Sequence, residues 1–137
     1  ARQTQIVDLD PAGLAMVEVM VRDDLPANSE RIGTLMTDAL KEIQRDSKLI
    51  GEVRGQGLMI GVELVRDRES KEPAFEETDQ LMAACLGHGL MIGKTGPVFG
   101  ANGNVAKFKP AVNVTEEDAM EMVELFGRAL RDVEAAL

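Results

Sequence analysis

Two lysines near the end of the chain are the side chains best placed to do chemistry. Lys107 and Lys109 are one residue apart in the segment 105–109 (VAKFK), whose pattern is typical of a β-strand. Successive side chains of a strand point to opposite faces, so both ammonium groups should project from the same face. Two like charges on one face repel each other unless they meet an anion. The pair therefore indicates either a solvated sheet edge or recognition of a carboxylate or phosphate at the mouth of a site.

Two glycine-containing motifs suggest nucleotide binding, but neither has the required spacing. Gly93-Lys94-Thr95 resembles the end of a phosphate-binding loop, yet His88 stands where that loop needs its first glycine. Gly55-Gln56-Gly57 resembles the start of a dinucleotide fingerprint, yet the next glycine, Gly61, comes one residue late and inside a predicted strand. We interpret the first motif as an ordinary loop after a strand and the second as a tight turn between two strands.

The single histidine and the single cysteine have structural interpretations. His88 follows a predicted helix, where a cation suits the negative end of the helix dipole. Cys85 falls on the inward side of the same helix, which predicts a buried structural thiol. Neither residue has neighbours at metal-ligand spacing, and a single histidine is a poor basis for a Ser-His-Asp triad. We therefore predict no metal ligand and no Ser-His-Asp triad within this chain.

Composition excludes several functional classes. The 137 residues fit one domain, and 45% of them are hydrophobic, which is enough for a core. The net charge of -9 argues against a nucleic-acid partner, since such proteins present basic surfaces to phosphates. No apolar run approaches the roughly 18 residues of a membrane-spanning helix. Aromatic residues make up only 3% of the chain, and eight methionines are expected to fill the core instead.

Helical periodicity predicts four helices. The first begins at Asp10-Pro11 and ends near Asp24, and Leu25-Pro26 separates it from the second. The third runs from about Glu76 to Gly87, and Thr115 caps the fourth. The apolar stripes expected to face inward on the last three helices are Ile32, Leu35, Met36, Ala39, Leu40 and Ile43; Leu81, Met82, Cys85 and Leu86; and Ala119, Val123, Phe126, Leu130, Val133 and Leu137.

Short apolar segments between the helices predict strands. Leu58–Val65 is nearly all apolar and predicts a strand buried on both faces. Residues 52–54, 90–92 and 105–109 predict three more strands. The order ααββαββα places helices against one small mixed β-sheet, which is an α+β fold.

Several segments resemble one enzyme family in order and spacing, the class III aminotransferases of the pyridoxal-phosphate fold type I group. Residues 53–64 (VRGQGLMIGVEL) resemble the family segment VRGxGLMxGxEL, and residues 89–94 (GLMIGK) resemble GLLIGK. Residues 104–110 (NVAKFKP) resemble NVxRxKPP, and Thr115–Asp118 follows at the place of the family's TxED. Within the family, the chain looks nearest to the alanine–glyoxylate type and to the amino-alcohol-phosphate phospho-lyases.

The resemblance covers residues 13–137 and implies the C-terminal small domain of such an enzyme, preceded by a divergent segment, residues 1–12. In the family the large domain supplies the Schiff-base lysine, the aspartate under the pyridine nitrogen and the phosphate-binding loop. The resemblance therefore implies that pyridoxal phosphate is bound by a large domain missing from this chain. It implies no catalytic residue and no cofactor-binding residue here, and the isolated chain is expected to be inactive.

The resemblance assigns Lys107 a substrate-binding role. The family commonly has an arginine at this position, where its planar fork can grip the substrate α-carboxylate, whereas a lysine offers only a point charge. This departure suits a phosphorylated amine, because the lyase members resemble NVLKxKPP here. The implied reaction is amino transfer between an amine or amino acid and a 2-oxo acid. Phospho-lyase chemistry is the first alternative, and a stand-alone, non-catalytic dimerisation module is the second.

The resemblance also implies partners and a location. We expect a small-molecule amine or amino acid substrate, the large domain of the same enzyme and a homodimer, with no nucleic-acid or membrane partner. No secretory leader is evident in the given residues, so a cytoplasmic location is expected, or an organelle matrix if a targeting segment is missing.

Overall fold

The structure is a computed structural model that describes residues 11–96 and 103–137. Its described elements, in chain order, are α1 (Pro11–Arg22), α2 (Leu25–Asp46), β1 (Ile50–Gln56), β2 (Met59–Asp67), β3 (Glu72–Pro73), α3 (Phe75–Gly87), β4 (Gly93–Lys94), β5 (Val105–Phe108) and α4 (Glu116–Ala135). The predicted segment 1–12 falls almost entirely outside the described residues. None of the described helices is long and apolar enough to cross a membrane.

The helices begin where local chemistry favours it. Asp24 takes a left-handed backbone conformation (φ 48°) between α1 and α2, and Pro26 occupies the first turn of α2. At the start of α4, the Thr115 hydroxyl oxygen accepts a hydrogen bond of 3.1 Å from the backbone N–H of Asp118. The same hydroxyl donates to the Asp118 carboxylate at 2.7 Å, so the predicted helix cap is confirmed.

The sheet is antiparallel at every pairing among the described strands, where a mixed sheet was expected. The strand order is β1-β2-β5-β4, and β3 pairs with β2 beyond this path. A two-residue turn joins β1 to β2, and such a turn can connect only antiparallel neighbours. The longer path through α3 leaves β5 running opposite to β2. Helices packed on one small sheet confirm the α+β class.

One face of β2 is buried from Ile60 to Leu64, whereas the other face is buried only at Val65 (2% exposed), so the prediction of burial on both faces was wrong for most of the strand. Ile60, Val62 and Leu64 are at most 1% exposed and contribute to the core. Met59 is exposed, and Glu63 is only partly covered, on the opposite face. The cause is that α2, α3 and α4 all pack on one side of the sheet. The apolar run resembled a fully buried strand because Met59 and Gly61 occupy the open face.

The core joins both layers of the fold. The rings of Phe108 on β5 and Phe126 on α4 meet edge to face, with centroids 5.2 Å apart. Most residues of the predicted helical stripes are buried or partly buried against this centre. Three are exposed instead, because they lie at the margin or end of their stripes: Leu35 (37% exposed), Leu86 (64%) and Leu137 (67%).

The strand predicted at residues 90–92 lies further along the chain, at β4. The backbone N–H of Leu90 donates to the Cys85 carbonyl at 2.8 Å, so Leu90 is bonded to the last turn of α3 and not to a strand. Met91 is 86% exposed, and pairing with β5 begins only at Gly93. A further two-residue strand, β3, lies between β2 and α3 and was not predicted from the sequence.

Candidate anion-binding site

Four residues form one row across the open face of the sheet. Arg54 of β1 stands opposite Gly61 of β2, Gly61 opposite Lys107 of β5, and Lys107 opposite Gly93 of β4. A Cβ added to Gly93 would lie 3.9 Å from Lys107 Cε. The cross-strand neighbours of Lys107 on both adjoining strands therefore carry no side chain. Neighbouring strands lie about 4.8 Å apart, which places Arg54 roughly 10 Å from Lys107 along the row.

Lys107 and Lys109 line one shallow cavity of about 380 Å³ on this face, as their spacing predicted. Lys107 is half-buried, and Lys109, just beyond the end of β5, is exposed. Neither ammonium group has an ion-pair partner among residues 11–96 and 103–137. Two cations without an ion-pair partner in this part of the chain, beside Gly61 and Gly93, which leave the space open, suit a small oxyanion, either a carboxylate or a phosphate.

Acidic groups also reach this face, but they are bonded to Arg54. Its Nη1 atom lies 2.7 Å from Glu52 Oε2 and 3.0 Å from Glu63 Oε2. Partial burial lowers the pKa of Arg54, while the carboxylates of Glu63 and Glu52 raise it, and the carboxylates prevail. Arg54 therefore stays charged, and both acids on this side of the cavity are already paired.

Asn104 fixes the register that brings Lys107 opposite Gly61. This residue is 2% exposed and immediately precedes β5. Its side-chain N–H donates to the Leu64 carbonyl at 2.8 Å, and the Leu64 N–H donates to the Asn104 carbonyl at 2.8 Å. A slip of one residue would turn Lys107 toward the helices, so these two bonds hold the ammonium on the open face.

The tight turn predicted at Gly55-Gln56-Gly57 lies slightly further along the chain, because Gly55 and Gln56 end β1 while Gly57 and Leu58 form the turn. Gly57 has a φ of 53°, a conformation that side-chain-bearing residues rarely adopt. A Cβ on Gly55 would lie 2.4 Å from the Met59 carbonyl oxygen. Backbone conformation and close approach therefore explain both glycines. The other glycine motif differs from expectation, because Gly93-Lys94 is strand β4 and Lys94 forms an ion pair with Asp79 of α3.

His88 and Cys85 take the structural places that the sequence indicated. His88 is the C-cap of α3, and its Nε2 atom lies 2.6 Å from Asp132 Oδ2, which ties α3 to α4. Cys85 is 0% exposed, and burial raises the pKa of its thiol to about 11. Within the described ranges, no group of three or more potential ligand side chains could hold a metal ion.

The cavity residues do not fit pyridoxal phosphate as a whole. That cofactor needs a lysine for the Schiff base, an acid at the pyridine nitrogen and a separate phosphate cradle. The acids on the open face are held by Arg54, and Lys94 is held by Asp79. What Lys107 and Lys109 can do chemically is bind and orient one anionic group.

Sequence reasoning missed Arg54, Glu63 and Asn104 as parts of this site. The position of the turn between β1 and β2 could have indicated both Arg54 and Glu63. Once Gly57 and Leu58 form the turn, Gln56 must pair with Met59, and Arg54 with Gly61, by simple counting. The bulge near Ile50 does not disturb this part of the register, because it lies between Ile50 and Glu52.

Comparison with known proteins agrees with this architecture. The sequence model described as "Aminotransferase class-III" matches residues 11–130. A curated relative, the mitochondrial alanine–glyoxylate aminotransferase 2 homolog 2 of Arabidopsis thaliana, is 39% identical over 113 residues, covering 82% of this chain and 23% of the relative. The chain therefore spans about a quarter of the length of that relative.

Solved structures show the same arrangement of elements. A Bacillus anthracis aminotransferase superposes with a TM-score of 0.83 at 29% identity, over 88% of this chain and 27% of that one. A phospholyase from Arthrobacter in complex with phosphoethanolamine gives a TM-score of 0.80 at 29% identity, over 88% of this chain and 28% of that one. The extent of the family match, together with the fold, shows that the chain belongs to the class III aminotransferases.

Proposed function

We propose that residues 13–137 are the C-terminal small domain of a pyridoxal-phosphate-dependent aminotransferase, and that Lys107 contacts the anionic group of its amino substrate. The observation that carries the substrate contact is the Lys107 ammonium, unpaired among the described residues and flanked by Gly61 and Gly93. The reaction is amino transfer between an amine or amino acid and a 2-oxo acid. Pyridoxal phosphate, when bound, supplies the electron sink for that transfer.

The role of this domain is to bind and orient the substrate and to exclude water. Lys107 attracts the anionic end of the substrate, and Lys109 adds a second positive charge at the rim of the cavity. The open face of the sheet then covers the substrate from one side, as closing elements do in many enzymes. The cofactor and the Schiff-base lysine belong to a large domain outside this chain.

The exposed side of α1 supports the existence of such a covering partner. No residue of α1 is buried, and the exposed fractions of Leu14, Met16, Val17 and Val21 range from 50% to 76%. Apolar surface of this extent usually marks an interface. We infer that the large domain and the second subunit of a homodimer cover it. The cytoplasm or an organelle matrix suits the enzyme, and the Arabidopsis relative is mitochondrial by name.

Borohydride trapping tests where the cofactor binds. The purified 137-residue chain is mixed with pyridoxal phosphate and reduced, and modified lysines are mapped by mass spectrometry. We expect no site-selective adduct, because the cavity offers no acid and phosphate cradle for the cofactor. One stoichiometric adduct at a single lysine would refute the assignment of the cofactor site to a missing large domain.

Substitution of Lys107 tests the substrate contact in the complete enzyme. Lys107→Ala should raise the KM for the amino substrate about tenfold or more, since a hydrogen bond to a charged group contributes about 1.5–3 kcal/mol. Cofactor affinity should change less than twofold. Lys41→Ala, on the exposed side of α2, removes an equal charge far from the cavity and should leave KM unchanged. An unchanged KM in the Lys107 variant would refute the contact.

A phospho-lyase acting on a phosphorylated amino alcohol is the second candidate. The lysine at position 107 favours it, because a compact ammonium binds phosphate well without the planar fork of arginine. The Arthrobacter structural neighbour holds phosphoethanolamine. Incubation of the complete enzyme with phosphoethanolamine separates the two reactions. Release of inorganic phosphate without a 2-oxo acid would establish the lyase, whereas strict dependence on a 2-oxo acid would establish the transaminase.

A stand-alone dimerisation module is the third candidate, and the uncovered apolar side of α1 is the observation that favours it. Sedimentation of the 137-residue chain tests this candidate. A stable dimer that is lost when Val17 and Val21 are replaced by Glu would support the module. A monodisperse monomer would refute it.

A further inference from the structure

We infer that Arg54 is a positioning residue that keeps the Glu63 carboxylate away from Lys107, so that Lys107 remains free for an anion. This inference rests on the proposed anion contact of Lys107 and adds a residue that controls it. The evidence is the register of three neighbouring strands, the ion pairs that Arg54 makes, and the lack of any ion pair between Lys107 and the residues that the structure describes.

Glu63 is the acid best placed to neutralise Lys107. Glu63 pairs with Val105, and Gly61 pairs with Lys107, so Glu63 and Lys107 are diagonal neighbours on the same face. Diagonal neighbours lie about 7–8 Å apart at their backbones, a distance that two long side chains can bridge. Both residues also line the same cavity. Without a competing partner, the glutamate and the lysine would be expected to meet.

Arg54 supplies that competing partner from the opposite side. It lies on β1, while Lys107 lies on β5, so Glu63 on β2 has one cation on each side. The structure shows Glu63 bonded to Arg54 at 3.0 Å, with no ion pair to Lys107. The glycine between the two cations, Gly61, adds no side chain that could hold Glu63 in place. The position of the Glu63 carboxylate therefore depends on Arg54.

The two acids bonded to Arg54 differ in their relation to Lys107. Glu52 lies on β1 directly opposite Glu63 of β2, and is therefore one strand further from β5 than Glu63. Removing Arg54 and Glu63 together, or Arg54 and Glu52 together, leaves chains of identical net charge. Only the first pair of substitutions removes the acid that can reach Lys107, so the two double variants separate local pairing from general charge.

The test uses the 137-residue chain and two readouts. The first is the rate at which trace acetic anhydride labels Lys107 in the absence of any anion, relative to Lys41 on α2, measured by mass spectrometry. The second is the affinity for inorganic phosphate, followed by NMR shifts of Lys107 and its neighbours. The variants are Arg54→Met, Arg54→Met with Glu63→Gln, Arg54→Met with Glu52→Gln, and Arg45→Met, which removes an exposed arginine paired with Glu42.

We expect Arg54→Met to slow the labelling of Lys107 and to weaken phosphate binding, each about two- to fivefold, the range of a partly exposed ion pair. Adding Glu63→Gln should restore both values to within about 1.5-fold of the parent chain, whereas adding Glu52→Gln should not. Arg45→Met should change neither readout. Equal behaviour of the two double variants, or normal labelling in Arg54→Met, would overturn the inference.

Glu63→Gln alone keeps the test decisive if the Arg54 variants do not fold. With Arg54 intact, Glu63 is already held away, so labelling of Lys107 should change by less than about 1.5-fold. A severalfold increase would show that Glu63 pairs with Lys107 in the parent chain and would overturn the inference. If phosphate fails to shift Lys107 resonances in the parent chain, the proposed anion contact fails, while the labelling rates still decide the role of Arg54.

Discussion

Replacing Gly33 by alanine should destabilise the fold although it improves helix propensity. Gly33 is buried in α2 and packs directly against the turn between β1 and β2. An added Cβ would lie 2.0 Å from the Gly57 carbonyl oxygen and 2.7 Å from Gly57 Cα, whereas real Cβ contacts essentially never fall below 3.0 Å. The turn or the helix must therefore move by at least 1.0 Å. Both contacting groups are backbone, so no side-chain rotation can relieve the clash.

The size of the effect follows from two opposing terms. Overpacking in a core costs about 1–3 kcal/mol, and the rigid backbone contact favours the upper end of that range. Alanine in place of glycine inside a helix recovers about 1 kcal/mol. The net loss is about 2 kcal/mol, which corresponds to a decrease in Tm of roughly 6–8 °C for a domain of this size.

Thermal and urea unfolding followed by circular dichroism measures this change. Gly13→Ala in α1 is the matched control, because nothing lies within 4 Å of its added Cβ. That variant should be as stable as the parent chain or more stable by up to about 1 kcal/mol. A Gly33 variant that matches the Gly13 variant in stability would refute the close contact between α2 and the turn.

Three further predictions concern the rest of the fold. Arg66 donates to the Glu77 carboxylate at 2.8 Å and holds the pKa of that carboxyl below its ordinary value. The ion pair stabilises the fold by about 1 kcal/mol after solvent screening. This stabilisation is fully present above the ordinary glutamate pKa of about 4.3 and is lost as the pH falls through the lowered pKa of the folded state. The Tm difference between the parent chain and Glu77→Gln should accordingly shrink below about pH 5, whereas Glu76→Gln, whose side chain is 83% exposed, should change little at any pH. The Cys85 thiol, with a pKa of about 11, should resist iodoacetamide at pH 8 in the folded chain and react after unfolding in urea, and rapid labelling of folded chain would contradict its burial. Thr115→Ala should cost about 1 kcal/mol of unfolding free energy while Thr115→Ser costs little, and equal losses in both would contradict the capping role.

Local signals were sufficient to predict the helices and most of the core. Apolar residues at helical spacing placed Met36, Leu81 and Phe126 in the interior, and all three are 0% exposed. The same signals could not show how many faces of the sheet the helices cover. A run such as 58–65 is compatible with one buried face or two, because Met59 and Gly61 can occupy an open face. That outcome depends on which side of the sheet every helix packs.

The site was only half predictable. Spacing placed Lys107 and Lys109 on one face, and the cavity contains both. Strand pairing decided the rest, because Arg54 and Lys107 are 53 positions apart in sequence and share a row only through Gly61. The buried Asn104 that fixes this row is one polar residue after a glycine-containing stretch of the sequence, and nothing local to the sequence marks its bond to Leu64.

The net charge of the chain explains why the local arrangement of these cations matters. A chain with a net charge of -9 repels anions at long range. At physiological salt, however, interactions are screened beyond about 8 Å, so an anion in the cavity responds mainly to Lys107, Lys109 and the nearest acids. Glu63 is the nearest acid by register. If Glu63 were released from Arg54, its carboxylate would neutralise one of the two lysine charges. Under the proposed anion contact of Lys107, a modest surface ion pair between Arg54 and Glu63, which adds little to folding, decides whether the open face of the sheet attracts an anion.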